Sequence, residues 1–282
     1  MPNQSAILVL QDGTTYEGIS VGADGDCVGE LVFNTSMTGY QEMLTDPSYA
    51  KQIIMFTTAH VGNTGCNSED MESSAIHAAG LVMRDCAVMH SNYRAQQSLP
   101  NWLKKHGIVA ISGVDTRDLT LKLRKQGALA ACISTNTQQE QALAKARAFA
   151  GLEGMDLALE VTRHIAEPWY EGQGEWASTA SKPLQFHIVA YDFGIKNSIL
   201  KLLYDKGCHV TIVPAKTSVE AVLEMNPQGI FLSNGPGDPK ACDYAIQATQ
   251  IFLSKKIPIF GICLGFQILA LACGGQTKKM KF

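Results

Sequence analysis

The chain has 282 residues, of which 46% are hydrophobic and 17% charged; this excludes a disordered chain and leaves room for about two domains with an ample core. Its 23 basic and 26 acidic side chains give a formal net charge of -3 with no dense Lys/Arg run, which argues against nucleic acid as a partner. Eight cysteines occur without a Cys-x-x-Cys pair and without a signal peptide ahead of them. They read as reduced thiols of a soluble cytoplasmic protein, not as a disulfide framework or a zinc site, and no metal is expected in this chain.

Strand-like alternation opens the sequence. Ala6–Leu10 and Thr15–Val21 flank Gln11-Asp12-Gly13-Thr14, the pattern of a hairpin around an Asp-Gly turn. Gly29–Thr35 and Gln52–Thr57 predict further strands, Thr45-Asp46-Pro47-Ser48-Tyr49 a turn, and His60–Gly65 a loop. Helical spacing follows over Asn101–Lys105, Asp118–Lys125 (ended by Gly127) and Thr137–Ala150. Residues 1–150 are therefore expected to form a mixed α and β domain whose topology the pattern leaves open. Residues 151–183 are expected to be a linker region, since 168–183 carry Gly, Ser and Pro in loop proportions.

From Leu184 strand and helix alternate. Strands are predicted over Phe186–Tyr191, His209–Val213 and Gly229–Ser233, and helices over Lys196–Lys206, Ser218–Met225 and Tyr244–Lys255; Thr277–Phe282 begins another strand. Such alternation predicts an α/β fold with an open, mostly parallel sheet, whose chemistry gathers at the carboxyl ends of the strands. Asp192-Phe193-Gly194 matches a kinase metal motif, but no His-Arg-Asp loop or phosphate loop accompanies it, and it reads as a strand end.

The most informative stretch is Ile257–Leu271. A β-branched and aromatic run leads into Gly261-Ile262-Cys263-Leu264-Gly265, and good helix formers follow until Gly274 and Gly275. Gly-x-Cys-x-Gly is the spacing of a nucleophile elbow, in which a strained residue sits at a strand-to-helix turn and only glycine fits two positions to either side. A cysteine there faces the positive end of the helix, which favours the nucleophilic thiolate. Three other readings stand beside this one: a small buried hydrophobe, a membrane span, and a serine-hydrolase-like elbow with cysteine in serine's place. Pro258, Gly261, Gly265 and Gln267 argue against the span. Asn234-Gly235-Pro236-Gly237-Asp238-Pro239 follows another predicted strand, and its glycines let backbone amides approach a substrate oxygen closely.

The Asn234–Pro239 segment followed by Gly261–Gln267 resembles the class I (triad) glutamine amidotransferases. Phe33–Glu42, Asp46-Pro47-Ser48-Tyr49, His60-Val61-Gly62-Asn63, Gly113–Arg117 and Tyr191–Lys196 are similar to the small, glutamine-hydrolysing chain of carbamoyl-phosphate synthase, so the resemblance covers essentially the whole sequence. It implies that residues 1–150 are a partner-docking domain and 184–282 a partial class I amidotransferase domain. Cys263 would attack the side-chain amide of L-glutamine, with Leu264 and Gly235 as backbone oxyanion donors. Each such donor is worth on the order of 3 kcal/mol. Ser48, Gly235, Gly237, Leu264 and Gln267 match positions that contact the bound glutamine. Ammonia would pass to a large synthase chain, which carries the ATP, bicarbonate and metal ions of carbamoyl phosphate synthesis for arginine and pyrimidines; no cofactor is expected on this chain.

Two departures from the family stand out. Phe266 replaces a common histidine, and the family's triad His and Glu, expected well after the cysteine, are absent: all seven histidines precede Cys263. The expectation is a copy truncated at its C-terminus, with the sheet's last strands missing and little or no turnover. Two rival functions remain, a glutaminase subunit of another synthase and a non-catalytic partner-binding fragment.

Overall fold

The computed structural model describes residues 4–177 and 182–280. The chain divides into two units, one formed up to Leu152 and the other by Glu153–Lys279.

The first unit holds strands β1 (Ser5–Leu10), β2 (Thr15–Ser20), β3 (Asp26–Asn34), β4 (Gln52–Phe56), β5 (His60–Val61), β6 (Gly80–Val82), β7 (Asp85–Cys86), β8 (Val109–Ser112) and β9 (Leu129–Ser134). Its helices are α1 (Tyr40–Thr45), α2 (Leu99–Lys105), α3 (Thr116–Gln126) and α4 (Gln139–Ala148). Seven of the strands close a barrel in the order β1-β2-β8-β6-β4-β3-β9, which leaves none of them as an open edge. The two-residue period of a strand explains the layering. Ala6, Leu8 and Leu10 join Ile53, Met55, Val109, Ile111 and Ile133 in the core, and Leu119 and Leu123 of α3 pack with them. The alternate residues Ile7, Val9 and Cys132 pack against Ala142 and Ala146 of α4, while Ile54, Phe56 and Leu81 pack against Leu44 of α1 and Trp102 of α2. Asp115 caps α3 by accepting from the Arg117 and Asp118 amides, and Gly127 ends it at φ 97.

The second unit holds α5 (Ala158–Val161), β10 (Glu167–Trp169), β11 (Phe186–Asp192), α6 (Asn197–Asp205), β12 (Cys208–Pro214), α7 (Val219–Glu224), β13 (Gly229–Leu232), α8 (Asp243–Ser254), β14 (Ile259–Gly261) and α9 (Leu264–Ala272). The sheet runs β10-β12-β11-β13-β14, parallel except for β10. One face packs Val189, Tyr191, Ile230 and Leu232 against Val222 of α7, Phe252 of α8 and Ile268 of α9. The other packs Ala190, Ile212 and Phe231 against Leu200 of α6. Helices thus cover both faces, as parallel strands require. The chain order reverses about β11, with β12 on one side and β13 on the other, which makes the carboxyl ends of β11, β13 and β14 the natural place for a site.

Two expectations differ from the structure. The segment expected as a linker, 151–183, belongs as far as it is described to the second unit: α5 and β10 lie within it, and β10 pairs with β12. Its loop composition is real, but the Gln173 amide donates to Asp205 Oδ2 at 2.9 Å and Trp169 packs against the sheet, so the segment is tied down. Residues 178–181 of it lie outside the described residues. The strand expected over Thr277–Phe282 does not form in 277–280, and 281–282 lie outside the described residues.

Candidate active site at the parallel strand ends

β14 turns into α9 through Ile262 and Cys263. Cys263 has φ 53 and ψ -112, a left-handed conformation that costs a non-glycine residue about 1–3 kcal/mol, and its side chain is exposed. The flanking glycines are demanded by packing. A Cβ on Gly261 would stand 2.6 Å from the carbonyl carbon and oxygen of Gly265, and one on Gly265 would stand 2.1 Å from the Leu232 oxygen. The Gly265 amide donates to Ser233 O at 2.9 Å, and the Ile262 amide to Leu232 O at 3.1 Å, so the elbow is stitched to the end of β13 on both sides of the cysteine. Leu264 is the first helical residue, and its amide has no intrahelical acceptor. Chiefly through burial, the Cys27, Cys66 and Cys242 thiols are pushed up to about 12, and those of Cys86 and Cys132 to about 11, which keeps them protonated at neutral pH.

Gly235 lies beside this elbow. It is buried, and a Cβ there would meet the Phe193 carbonyl oxygen at 2.1 Å and Leu264 Cδ2 at 3.0 Å. Gly237 is exposed at φ 93, and a Cβ on it would stand 2.8 Å from Met155 O, to which the Asp238 amide also donates at 3.4 Å. Asp238 in turn caps a short helical turn by accepting from the Lys240 amide. At the end of β11, the Asp192 carboxylate is buried and accepts from the Gly194 and Ile195 amides at 2.8 Å and the Arg163 amide at 3.0 Å. Arg163 Nε lies 3.5 Å from the same carboxylate, which is consumed in holding its own turn and not offered to a metal.

Of the residues the sequence singles out, Cys263, Leu264, Gln267, Gly235 and Gly237 stand on adjoining strand ends of the second unit. Gln267 is exposed one turn along α9, its amide bonded to Cys263 O at 3.0 Å. Ser48 stands in the first unit, half-buried on the turn Pro47–Tyr49, its amide bonded to Asp46 Oδ1 at 2.8 Å. His187 and His209 stack at 5.0 Å near the amino ends of β11 and β12, the edge of the sheet opposite Cys263, so neither is its base. Sequence reasoning passed over Ser233 and Asn234, which it took for a strand end and part of a turn; the one signal was two small polar residues at the end of an apolar strand. Among the described residues no group of three or more His, Cys, Asp or Glu is placed to hold a metal, and no helix is long and apolar enough to cross a membrane.

An exposed cysteine at a strand–helix elbow, with a glycine loop against it, defines a class I glutamine amidotransferase domain, and residues 189–282 match the family "Glutamine amidotransferase class-I". Residues 8–133 match "Carbamoyl-phosphate synthase small chain, CPSase domain". The chain belongs to the carbamoyl-phosphate synthase small chain family. It is 58% identical over 286 residues to the carbamoyl phosphate synthase small chain of Vibrio parahaemolyticus serotype O3:K6, a match covering 98% of this chain and 75% of that one. The Escherichia coli (strain K12) small chain is 58% identical over 288 residues, covering 99% and 75%. That of Yersinia pseudotuberculosis serotype I is 56% identical, covering 99% and 73%. Among solved structures, an aminopeptidase from Aneurinibacillus sp. strain AM-1 matches at TM-score 0.29 and 9% identity over 98% of this chain and 71% of that one, too weak a likeness to bear on fold or function.

Proposed function

We propose that this chain is the glutamine-hydrolysing subunit of a carbamoyl-phosphate synthase, acting through Cys263. The observation that carries the reading is the elbow itself: an exposed cysteine at φ 53, followed directly by Leu264 and with Gly235 packed beside it at the same strand ends. Cys263 Sγ adds to the carboxamide carbon of L-glutamine, and the oxygen that gains charge is held by the Leu264 and Gly235 amides. The C–N bond then breaks, nitrogen takes up a proton and leaves as ammonia, and a γ-glutamyl thioester remains. Water cleaves it to glutamate and free thiol. Gly237 and Gln267 complete the glutamine contacts that the second unit offers.

The ammonia serves a large synthase chain that carries ATP, bicarbonate and metal ions and forms carbamoyl phosphate for arginine and pyrimidine synthesis, in the cytoplasm. We assign residues 1–150 to docking that chain and 184–282 to glutamine. Val88, Met89 and Tyr93 of the first unit support the docking role: each is more than 80% exposed, a wasteful placement for large apolar groups unless something covers them.

The exposure of Val88, Met89 and Tyr93 favours a second reading, in which the chain binds a partner without turning over. Incubation with glutamine followed by mass spectrometry separates the two. A γ-glutamyl adduct on Cys263, absent from Cys263→Ala, together with feeble ammonia release is the expected result. A folded chain that binds a large synthase chain and never acquires the adduct would overturn the glutaminase reading.

A further inference from the structure

The residues immediately before Gly235 are more deeply buried than a surface turn requires. Ser233 is 0% exposed and Asn234 3%. Ser233 Oγ accepts from the Phe193 amide at 2.9 Å and donates to its neighbour's carbonyl, Asn234 O, at 2.7 Å. The Ser233 carbonyl accepts from the Gly265 amide at 2.9 Å. Asn234 Nδ2 donates to Gly194 O at 2.8 Å, and Oδ1 accepts from the Lys196 amide at 3.2 Å. Two short side chains therefore bind together the turn after β11 (residues 193–196) and the end of β13, and the Ser233 backbone adds the first turn of α9.

Gly235 has no Cβ, so its peptide planes swing more freely than those of any other residue unless something outside restrains them. The Phe193 carbonyl lies where its Cβ would be, and Pro236 restricts it from the other side. Donors that stabilise a developing charge act only when held to roughly half an ångström, because a mobile donor must be reorganised during the reaction.

We propose that Ser233 and Asn234 are positioning residues which lock the Gly235 amide against the turn after β11, at the spacing from the Leu264 amide that one charged oxygen can bridge. The inference rests on the reading of Cys263 as a glutaminase nucleophile, and it gives the Asp192–Lys196 turn a role: it is the abutment for the oxyanion loop.

The test uses the full 282-residue chain and reads alkylation of Cys263 by iodoacetamide, peptide by peptide, so that the other exposed cysteine, Cys273, does not interfere. Iodoacetamide alone reports the thiol. Protection by glutamine, read at times too short for the γ-glutamyl adduct to form (the mass of the Cys263 peptide monitors it), reports ground-state binding. Protection by the γ-aldehyde analogue of glutamine reports the oxyanion site. In that adduct Sγ bonds to the aldehyde carbon, the carbonyl π pair moves to oxygen with the thiol proton, and nothing leaves or changes redox state.

For Asn234→Ala, alkylation is expected to stay within about twofold and glutamine protection within about threefold of the parent, while aldehyde protection weakens by about 10- to 100-fold. A general loosening of the fold would weaken all three together. Unchanged aldehyde protection, or an equal loss for glutamine and aldehyde, overturns the positioning role. If Asn234→Ala gives no cooperative melt, Ser233→Ala, which removes a single oxygen, decides by the same split. An unmodified chain that neither glutamine nor the aldehyde protects would instead bring down the nucleophile reading itself, a distinct outcome.

Discussion

Gly265→Ala is the sharpest perturbation of the elbow. The added methyl would stand 2.1 Å from the Leu232 oxygen, 2.5 Å from its carbonyl carbon and 2.7 Å from its Cβ, and the nearest of these are backbone atoms that cannot rotate away. Ordinary contact begins near 3.4 Å, so α9 and β13 must separate by roughly 1.3 Å. Overpacking of this kind costs about 1–3 kcal/mol, and the same displacement stretches the Gly265 amide bond to Ser233 O, worth about 1 kcal/mol more. A total of about 2–4 kcal/mol lowers the melting temperature of a unit this size by roughly 10 °C. Gly274→Ala is the control: its φ of 85 brings backbone strain of about 1–2 kcal/mol, but nothing lies within 4 Å of its Cβ. Scanning calorimetry of both variants beside the parent makes the comparison. If Gly265→Ala melts within 2 °C of the parent, or no lower than Gly274→Ala, the steric account of the Gly-x-Cys-x-Gly spacing is wrong.

Burial, with a smaller contribution from His209, holds the His187 imidazole below its ordinary range, so the folded state prefers it neutral. Its contribution to stability is complete above the unfolded value near 6.5 and declines as pH falls below it; His187→Gln should flatten the drop in melting temperature between pH 7.5 and 5. Asp192→Ala removes the acceptor for two buried turn amides and for Arg163, which should cost about 3–5 kcal/mol in urea unfolding, whereas Asp192→Asn should lose less because one oxygen remains. Phe266 is 62% exposed, so Phe266→His, which restores the family's common residue, should move stability by no more than about 0.5 kcal/mol and leave Cys263 alkylation unchanged.

What could be read from the sequence was what steric necessity writes locally. Five consecutive residues announce the elbow because both glycines are fixed by contacts within the turn and with the adjoining strand. The α/β alternation after Leu184 was equally plain, since each strand is a compact apolar run with a helix behind it. The barrel was not. β9 is buried along its whole length, so it lacks the alternation that marks a half-exposed strand, and its pairing with β1 joins residues more than 100 positions apart. β6, three residues long, carries almost no pattern. The segment after Leu152 misled for a different reason: Gly172 and Gly174 look like a linker, and only the structure reveals Asp205 holding the chain between them. The Asp192–Lys196 turn was recognised as a strand end, but its contact with Gly235 joins residues 42 positions apart and leaves no mark on either motif alone.

The strain at Cys263 persists because the residues around it are held more tightly than the cysteine itself. Its own carbonyl accepts from the Gln267 amide, while Ile262 and Gly265 are bonded to the end of β13. Leu264 and Ile268, 1% and 0% exposed, anchor α9 in the core that Leu232 and Phe252 share. Leu264 bears on the elbow twice: it opens α9 directly after the cysteine, and its side chain reaches to within 3.0 Å of where a Gly235 Cβ would be. The separation of Gly235 from the start of α9 is therefore a packing distance, set by one buried leucine against one glycine. A rigid elbow and a fixed glycine loop follow from the core of the second unit, and for the proposed chemistry what is left for other groups to supply is the movement of protons.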